Sequence, residues 1–275
     1  MKLRDKVAVI TGGASGIGQA MAERFATEGA RHIVVADRDE AGANAVAEAV
    51  SGTAVGLDVT DADAVDALVR RTEQEIGPID LFVSNAGFVT LGGLEAPVAD
   101  LQRMWEVHVL AHLYAARAVI PSMAVRGEGY LLNTASAAGL LSQFGSLHYA
   151  ITKHAAVAFA EWVAITHGHQ GIKVSVLCPQ AVETNIVTNS PDVDKMAGSG
   201  ADVAAGDGVL TAEAVAETVV EALAAERFHV LPHPEVADYV QRKGTDIDRW
   251  ISGMQRWQAS MFPGADHPAN WFTGP

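Results

Sequence analysis

Tyr149 and Lys153 stand four residues apart, a spacing that sets a phenol and an ammonium on one face of a helix, about one turn from each other. An isolated tyrosine keeps its proton up to a pH of about 10 and is a poor base at neutrality, but neighbouring positive charge favours the phenolate. A phenol tuned in that way can take the proton of an alcohol as hydride leaves the carbinol carbon. Taken alone, the pair fits an ordinary surface pairing just as well, so its meaning depends on what surrounds it.

A second cluster supplies that setting. Thr11-Gly12-Gly13-Ala14-Ser15-Gly16-Ile17-Gly18 directly follows the apolar run Val7 to Thr11 and opens a helical pattern that continues through Met21, Phe25 and Ala26. Gly12 permits a tight turn, Gly16 lets the backbone approach a pyrophosphate, and Gly18 allows close packing of helix on strand. The free N–H groups at the helix start, around Ser15 and Ile17, attract the anion. Asp37 ends the next apolar run, 19 residues after Gly18. A carboxylate there accepts hydrogen bonds from the adenosine ribose and repels a 2′-phosphate, which predicts NAD as the cofactor. Arg38 is the counter-indication, since an arginine can grip that phosphate, although no Lys or Arg inside the glycine loop assists it. Helix capping is the plainer role open to Asp37.

These residues need a frame. Val7 to Thr11, Ile33 to Asp37, Thr53 to Val59, Leu81 to Ser84, Tyr130 to Ala135 and Val174 to Cys178 read as buried strands separated by helix-length segments. Strands without a polar face, alternating with helices, predict a doubly wound α/β fold with a parallel sheet covered on both sides. A later helix is predicted from Thr211, a plausible N-cap, to Glu226, with a last strand at His229 to Leu231. The 275 residues fit one Rossmann-type domain, 1–275, with 185–210 as a mobile substrate loop and 232–275 as an aromatic tail within the same domain.

Composition narrows the partners. Nineteen Lys plus Arg against 33 Asp plus Glu leave a formal charge of -14, which repels phosphate backbones and anionic lipid and argues against nucleic acid or membrane. Hydrophobic residues make up 49% of the chain, enough for a substantial core, yet no apolar run reaches the roughly 18 residues of a membrane span. Cys178 is the single cysteine and reads as a small buried hydrophobe; with a charged, short-cored N-terminal stretch, this predicts a cytoplasmic location. Leu101 to Met123 and Leu147 to Ile165 carry apolar residues around most of their circumference, among them Trp105, Val119, Trp162 and Ile165. Such helices need a second cover, and a homodimer or homotetramer is the simplest one; cover from the chain itself is the alternative.

Taken together, Thr11 to Gly18, Asp58-Val59, Asn85-Ala86-Gly87, Ser136 and Tyr149 to Lys153 resemble the short-chain dehydrogenase/reductase family in its single-domain form, over residues 5 to about 185. Ser136 precedes Tyr149 by 13 residues, as that pattern has it. The resemblance implies that Ser136 hydrogen-bonds the substrate oxygen, that Tyr149 is the general acid/base, and that Lys153 binds the nicotinamide ribose and lowers the tyrosine pKa. It further implies that Asp58 and Val59 hold the adenine, that Asn85, Ala86 and Gly87 line the cofactor, and that Pro179, Val182 and Thr184 lie along its nicotinamide end.

Two positions depart from the family's pattern. His108 stands where an asparagine supporting a relay water is usual; an imidazole titrating near neutrality can join that relay, or the residue can be a packed structural histidine. Gln180 replaces a usual glycine after Pro179 and either offers its amide to the ligand or faces solvent. Histidines cluster at His167–His169 and at His229–His233, but without metal-ligand spacing on a helix, so no metal is expected. Asp192, Asp194, Asp202 and Asp207 beyond Thr184 disfavour anionic substrates. Ile247, Trp250, Ile251, Met254 and Trp257 recur at helical spacing, followed by Phe262, Trp271 and Phe272; they either pack on the protein or wall a pocket. The resulting expectation is an NAD-dependent dehydrogenase for a neutral, lipophilic secondary alcohol or its ketone. An NADP-dependent reductase and a non-catalytic dinucleotide-binding sensor are the rivals.

Overall fold

The computed structural model describes residues 1–184, 186 and 205–270. Seven parallel strands form one sheet: β1 Val7–Thr11, β2 His32–Asp37, β3 Thr53–Gly56, β4 Leu81–Ser84, β5 Gly129–Thr134, β6 Ile172–Leu177 and β9 His229–Val230. Their order is β3-β2-β1-β4-β5-β6-β9, and a separate short pair joins β7 Val182–Glu183 to β8 Leu210–Thr211. The helices are α1 Gly16–Thr27, α2 Glu40–Ala49, α3 Ala62–Glu75, α4 Val98–Trp105, α5 Ala111–Arg126, α6 Ala138–Leu141 and α7 Leu147–His167, then α8 Ala212–Ala225, α9 Glu235–Thr245 and α10 Ile247–Met261. This is the doubly wound, Rossmann-type α/β fold.

Alternation explains why the strands read as continuous apolar runs. Val9, Val34, Phe82 and Leu131 point to one face and pack with Leu68, Val119 and Val157 from α3, α5 and α7. Ile10, Ile33, Val83 and Leu132 point to the other and pack with Phe25, Val46 and Val219 from α1, α2 and α8. Both faces are covered, so neither parity of the strand can be polar. The exception is β3, whose residues are only half-buried because it forms the sheet's edge. The strand expected through Val59 leaves the ladder after Gly56; Leu57 N–H still donates to the Asp37 carbonyl before the chain turns away.

The segment expected as one helix from Leu101 to Met123 has α-helical ends and a wider π-helical turn, Glu106–Leu110, between α4 and α5. That turn carries His108 inward. Thr211 caps α8, its side chain accepting from the Ala214 N–H. The tail aromatics Trp250 and Trp257 do lie on a helix, α10. Most of the segment read as a substrate loop, including Asp192, Asp194 and Asp202, lies outside the described residues, as do Trp271 and Phe272. Among the described residues, no helix is long and apolar enough to cross a membrane.

Candidate active site

Strand order reverses between β1 and β4, so the chain leaves their carboxyl ends in opposite directions and opens a crevice there. Gly12 and Gly16 adopt φ of 65° and 54°, in the left-handed region that favours glycine. A Cβ on Gly18 would stand 2.0 Å from the Gly12 carbonyl oxygen, so any side chain there would push α1 off the loop. Asn85 clamps the loop from β4: its Nδ2 donates to the Gly12 carbonyl at 3.1 Å, while its Oδ1 accepts from Thr134 Oγ1 at 3.1 Å. Thr11 Oγ1 accepts from the Asn85 N–H at 3.0 Å and donates to the Val83 carbonyl at 3.2 Å. In the sequence Thr11 is the first residue of the glycine motif and Thr134 belongs to no motif; each ends a strand, where only the pairing of strands reveals its neighbour.

One cleft of about 1150 Å³ runs past all of this. Gly12, Ser15, Gly16, Ile17, Asp37 and Arg38 line its first end, Asp58 and Val59 the side by β3, and Asn85, Ala86 and Gly87 its floor. Ser136, Tyr149, Lys153, Pro179, Val182 and Thr184 line the far end. Gly18 and His108 do not reach the cleft; Gly18 packs beneath the loop and His108 is fully buried behind it. Asp37 has one oxygen on the Ala14 N–H and the other on the Asp39 N–H, which orients its carboxylate beside the glycine loop. Ser15 sits at the N-cap of α1 without capping it. Left-handed glycines, helix N–H groups and an oriented carboxylate along one cleft fit a dinucleotide.

The far end holds the titratable groups. Tyr149 is half-buried near the start of α7 and lies beside Ser136, whose Oγ donates to the Pro179 carbonyl at 3.3 Å and accepts from the Ala138 N–H at 3.1 Å. Lys153 follows one turn later; its Nζ donates to the Thr134 carbonyl at 3.1 Å and lies 5.5 Å from the Tyr149 ring centroid. Burial pushes the Lys153 ammonium down to about 8. Burial also pushes the Tyr149 phenol up to about 12, with the neighbouring Ser136 hydroxyl working in the opposite direction. In the protein by itself, therefore, burial outweighs the effects that favour the phenolate. Cys178 lies beneath as a buried thiol, raised to about 12 by desolvation.

His108 departs from its expectation in one respect. Its Nε2 accepts from the Phe88 N–H at 3.3 Å, which leaves the proton on Nδ1 to be donated to Thr152 Oγ1 at 3.0 Å. Thr152 in turn donates to the His148 carbonyl at 2.9 Å. Complete burial and the nearby Lys153 charge hold the imidazole well below its ordinary value, so it does not titrate near neutrality. Gln180 also has a different partner from those expected. Its Nε2 donates to Asp207 at 2.7 Å, and the Tyr239 hydroxyl donates to the other Asp207 oxygen at 2.9 Å.

A family model described as short chain dehydrogenase matches residues 6–195. A 1-deoxy-11-beta-hydroxypentalenate dehydrogenase of Streptomyces exfoliatus is 34% identical over 261 residues, 92% of either chain. A meso-2,3-butanediol dehydrogenase of Serratia marcescens is 32% identical over 195 residues, 70% of this chain and 77% of that one. Among solved structures, a short-chain dehydrogenase/reductase from Burkholderia phymatum in complex with NAD aligns with a TM-score of 0.80 at 30% identity, covering 90% of this chain and 96% of that chain. The chain belongs to the short-chain dehydrogenase/reductase family.

As a member of that oxidoreductase family it binds a nicotinamide dinucleotide, and its cleft continues beyond Tyr149 into a second, apolar half. Leu91, Leu141, Phe144, Val209, Trp250, Met254 and Trp257 line it, with Phe144 and Trp257 ring centroids 5.2 Å apart. Of the tail aromatics, Trp250 and Trp257 therefore wall the cleft. Which side of α10 would face it was open in the sequence, because a helical stripe shows a buried face without naming its neighbour.

Proposed function

We propose that this short-chain dehydrogenase/reductase moves hydride between NAD and a lipophilic secondary alcohol, uncharged around its carbinol, or the matching ketone. The observation that carries the reading is the convergence of Ser136, Tyr149 and Lys153 on the cleft that the glycine loop opens. Ser136 donates a hydrogen bond to the substrate oxygen, and Tyr149 takes the hydroxyl proton at its phenolic oxygen as the carbon–hydrogen bond breaks. Lys153 holds the nicotinamide ribose and keeps positive charge near the phenol. Bound NAD supplies an electron-deficient ring that accepts the hydride, and its positive charge adds to the forces favouring phenolate.

Gly12, Ser15, Gly16 and Ile17 hold the pyrophosphate, Asp58 and Val59 the adenine, and Pro179, Val182 and Thr184 the nicotinamide end. Asp37 makes NAD the preferred dinucleotide by accepting ribose hydroxyls. Arg38 lines the same end and favours the second reading, an NADP-dependent carbonyl reductase. His108 acts as a neutral strut that joins the Phe88 backbone to α7, one residue before Lys153. The relatives' names, a hydroxypentalenate and a butanediol dehydrogenase, support an alcohol substrate, and the aromatic wall supports a lipophilic one.

Val125 is 90% exposed on α5, and Trp162 and Ile165 are 60% and 83% exposed on α7; burying them makes the protein a homodimer or homotetramer. The single buried cysteine agrees with the cytoplasm.

A screen of secondary alcohols against NAD and NADP, read as reduced-cofactor absorbance, tests the assignment. Tyr149→Phe is expected to lower turnover by about a thousandfold while NADH still binds. Undiminished turnover in that variant removes the mechanism, and tighter binding of NADP than NAD selects the second reading. For His108→Asn the acidic limb of the pH–rate profile stays in place; a shifted limb would restore a titrating relay.

A further inference from the structure

Beside the apolar half of the cleft lies a second groove of about 570 Å³ between α9 and α10, and Arg242, Trp250 and Met254 line both spaces. Arg249 and Arg256 complete the groove, seven residues apart and hence on one face of α10. Three guanidinium groups thus share one hollow in a chain whose formal charge is -14.

Arg24, Arg70, Arg71, Arg103 and Arg126 each meet a carboxylate within 4.0 Å, whereas Arg4, Arg31, Arg38, Arg117 and Arg227, scattered over other elements, meet none among the described residues. Arg242, Arg249 and Arg256 meet none among the described residues. Among the described residues Asp246 is the single carboxylate lining the groove, and its Oδ1 accepts the Arg249 N–H as the cap of α10. Arg242 is held over the Tyr239 ring at 5.8 Å, and Tyr239 is in turn hydrogen-bonded to Asp207. Its guanidinium is thereby stationed where the two spaces meet.

We infer that the groove formed by Arg242, Arg249 and Arg256 binds an anionic group, a carboxylate or a phosphate, carried by the lipophilic ligand at the end remote from its carbinol. The inference rests on the proposed reading for where the carbinol lies, and it narrows the neutral-substrate expectation to the reacting end. Of the acidic residues behind that expectation, Asp207 has both oxygens occupied by Gln180 and Tyr239. Guanidinium groups bind both anions through paired N–H donors, and Trp250 and Met254 present apolar surface to both spaces, against which an apolar chain can lie.

The test needs no turnover. NADH-saturated protein is titrated with dodecanoate, dodecanamide and dodecyl phosphate, with binding followed by calorimetry. Wild type is expected to bind dodecanoate or dodecyl phosphate about tenfold more tightly than dodecanamide, less so at high salt. Preference for dodecanoate identifies a free acid, and preference for dodecyl phosphate a phosphate-bearing ligand. The Arg242→Gln, Arg249→Gln, Arg256→Gln triple variant, changed only at exposed positions, loses the preference and keeps its affinity for dodecanamide. Equal affinity for the three probes in wild type, no binding of any, or a preference that survives in the triple variant overturns the inference. None of the probes carries an oxidisable hydroxyl, so those outcomes leave the hydride-transfer reading to stand or fall on the alcohol screen.

Discussion

The two halves of the cleft are built in different ways. The nucleotide half comes from short stretches at the ends of β1, β2 and β4, and its groups are largely backbone: two left-handed glycines, helix N–H groups and a carbonyl clamped by Asn85. The apolar half gathers Phe144, Gln180, Asp207, Tyr239 and the α10 aromatics, drawn from segments far apart in the chain. Common chemistry is therefore written locally, within a turn or two of a strand end, while the features that distinguish ligands depend on distant segments docking.

The sharpest way to break that comparison is at the local end. Gly18→Val drives a side chain into the Gly12 carbonyl; it is expected to destabilise the fold by about 3 kcal/mol and to abolish dinucleotide binding, measured by thermal unfolding and NADH fluorescence. Retained binding would mean that the loop's geometry is not local after all.

Lys153→Met comes next. The folded-state value near 8 lies below the ordinary 10.5, so the unfolded chain binds this proton more tightly and the buried ammonium costs stability at pH values below about 8. That cost fades as pH rises from 8 towards 10.5. The variant is expected to be more stable than wild type at pH 7, by up to about 3 kcal/mol, and inactive, with the difference in denaturant midpoint shrinking across that window. A pH-independent difference would show that burial does not hold the lysine down.

Asp37→Asn keeps an acceptor for one of the two N–H groups that Asp37 holds, those of Ala14 and Asp39, and removes the charge. The NAD to NADP affinity ratio should fall by about tenfold, and an unchanged ratio would assign Asp37 to loop geometry alone. The smallest effect belongs to the distant half. Tyr239→Phe removes one of the two hydrogen bonds on Asp207, costing about 1 kcal/mol, and should raise KM for bulky alcohols while leaving kcat unchanged. A lowered kcat would tie that network to the chemistry.

The same division governs what could be read in advance. The central strands were legible because two covered faces force unbroken apolar runs, and the glycine loop because its demands fall on adjacent residues. The edge strand was overextended to Val59, since an apolar residue beyond the ladder looks no different from one within it. His108 was visible as a departure, but its neutrality was not, because burial and the distance to Lys153 are not properties of a spacing. Gln180 could be assigned no partner until Asp207 came alongside.

From its residues alone, this chain determines a doubly wound sheet, a glycine turn shaped for an anion, and a phenol one helical turn from an ammonium, since each follows from periodicity or from neighbours a few positions apart. Tertiary structure alone decides that the phenol is raised and the lysine lowered, that the α10 aromatics face the cleft, and that three arginines share a groove beside it. Those outcomes turn on desolvation and on contacts between distant segments, which exist only once the chain has closed on itself.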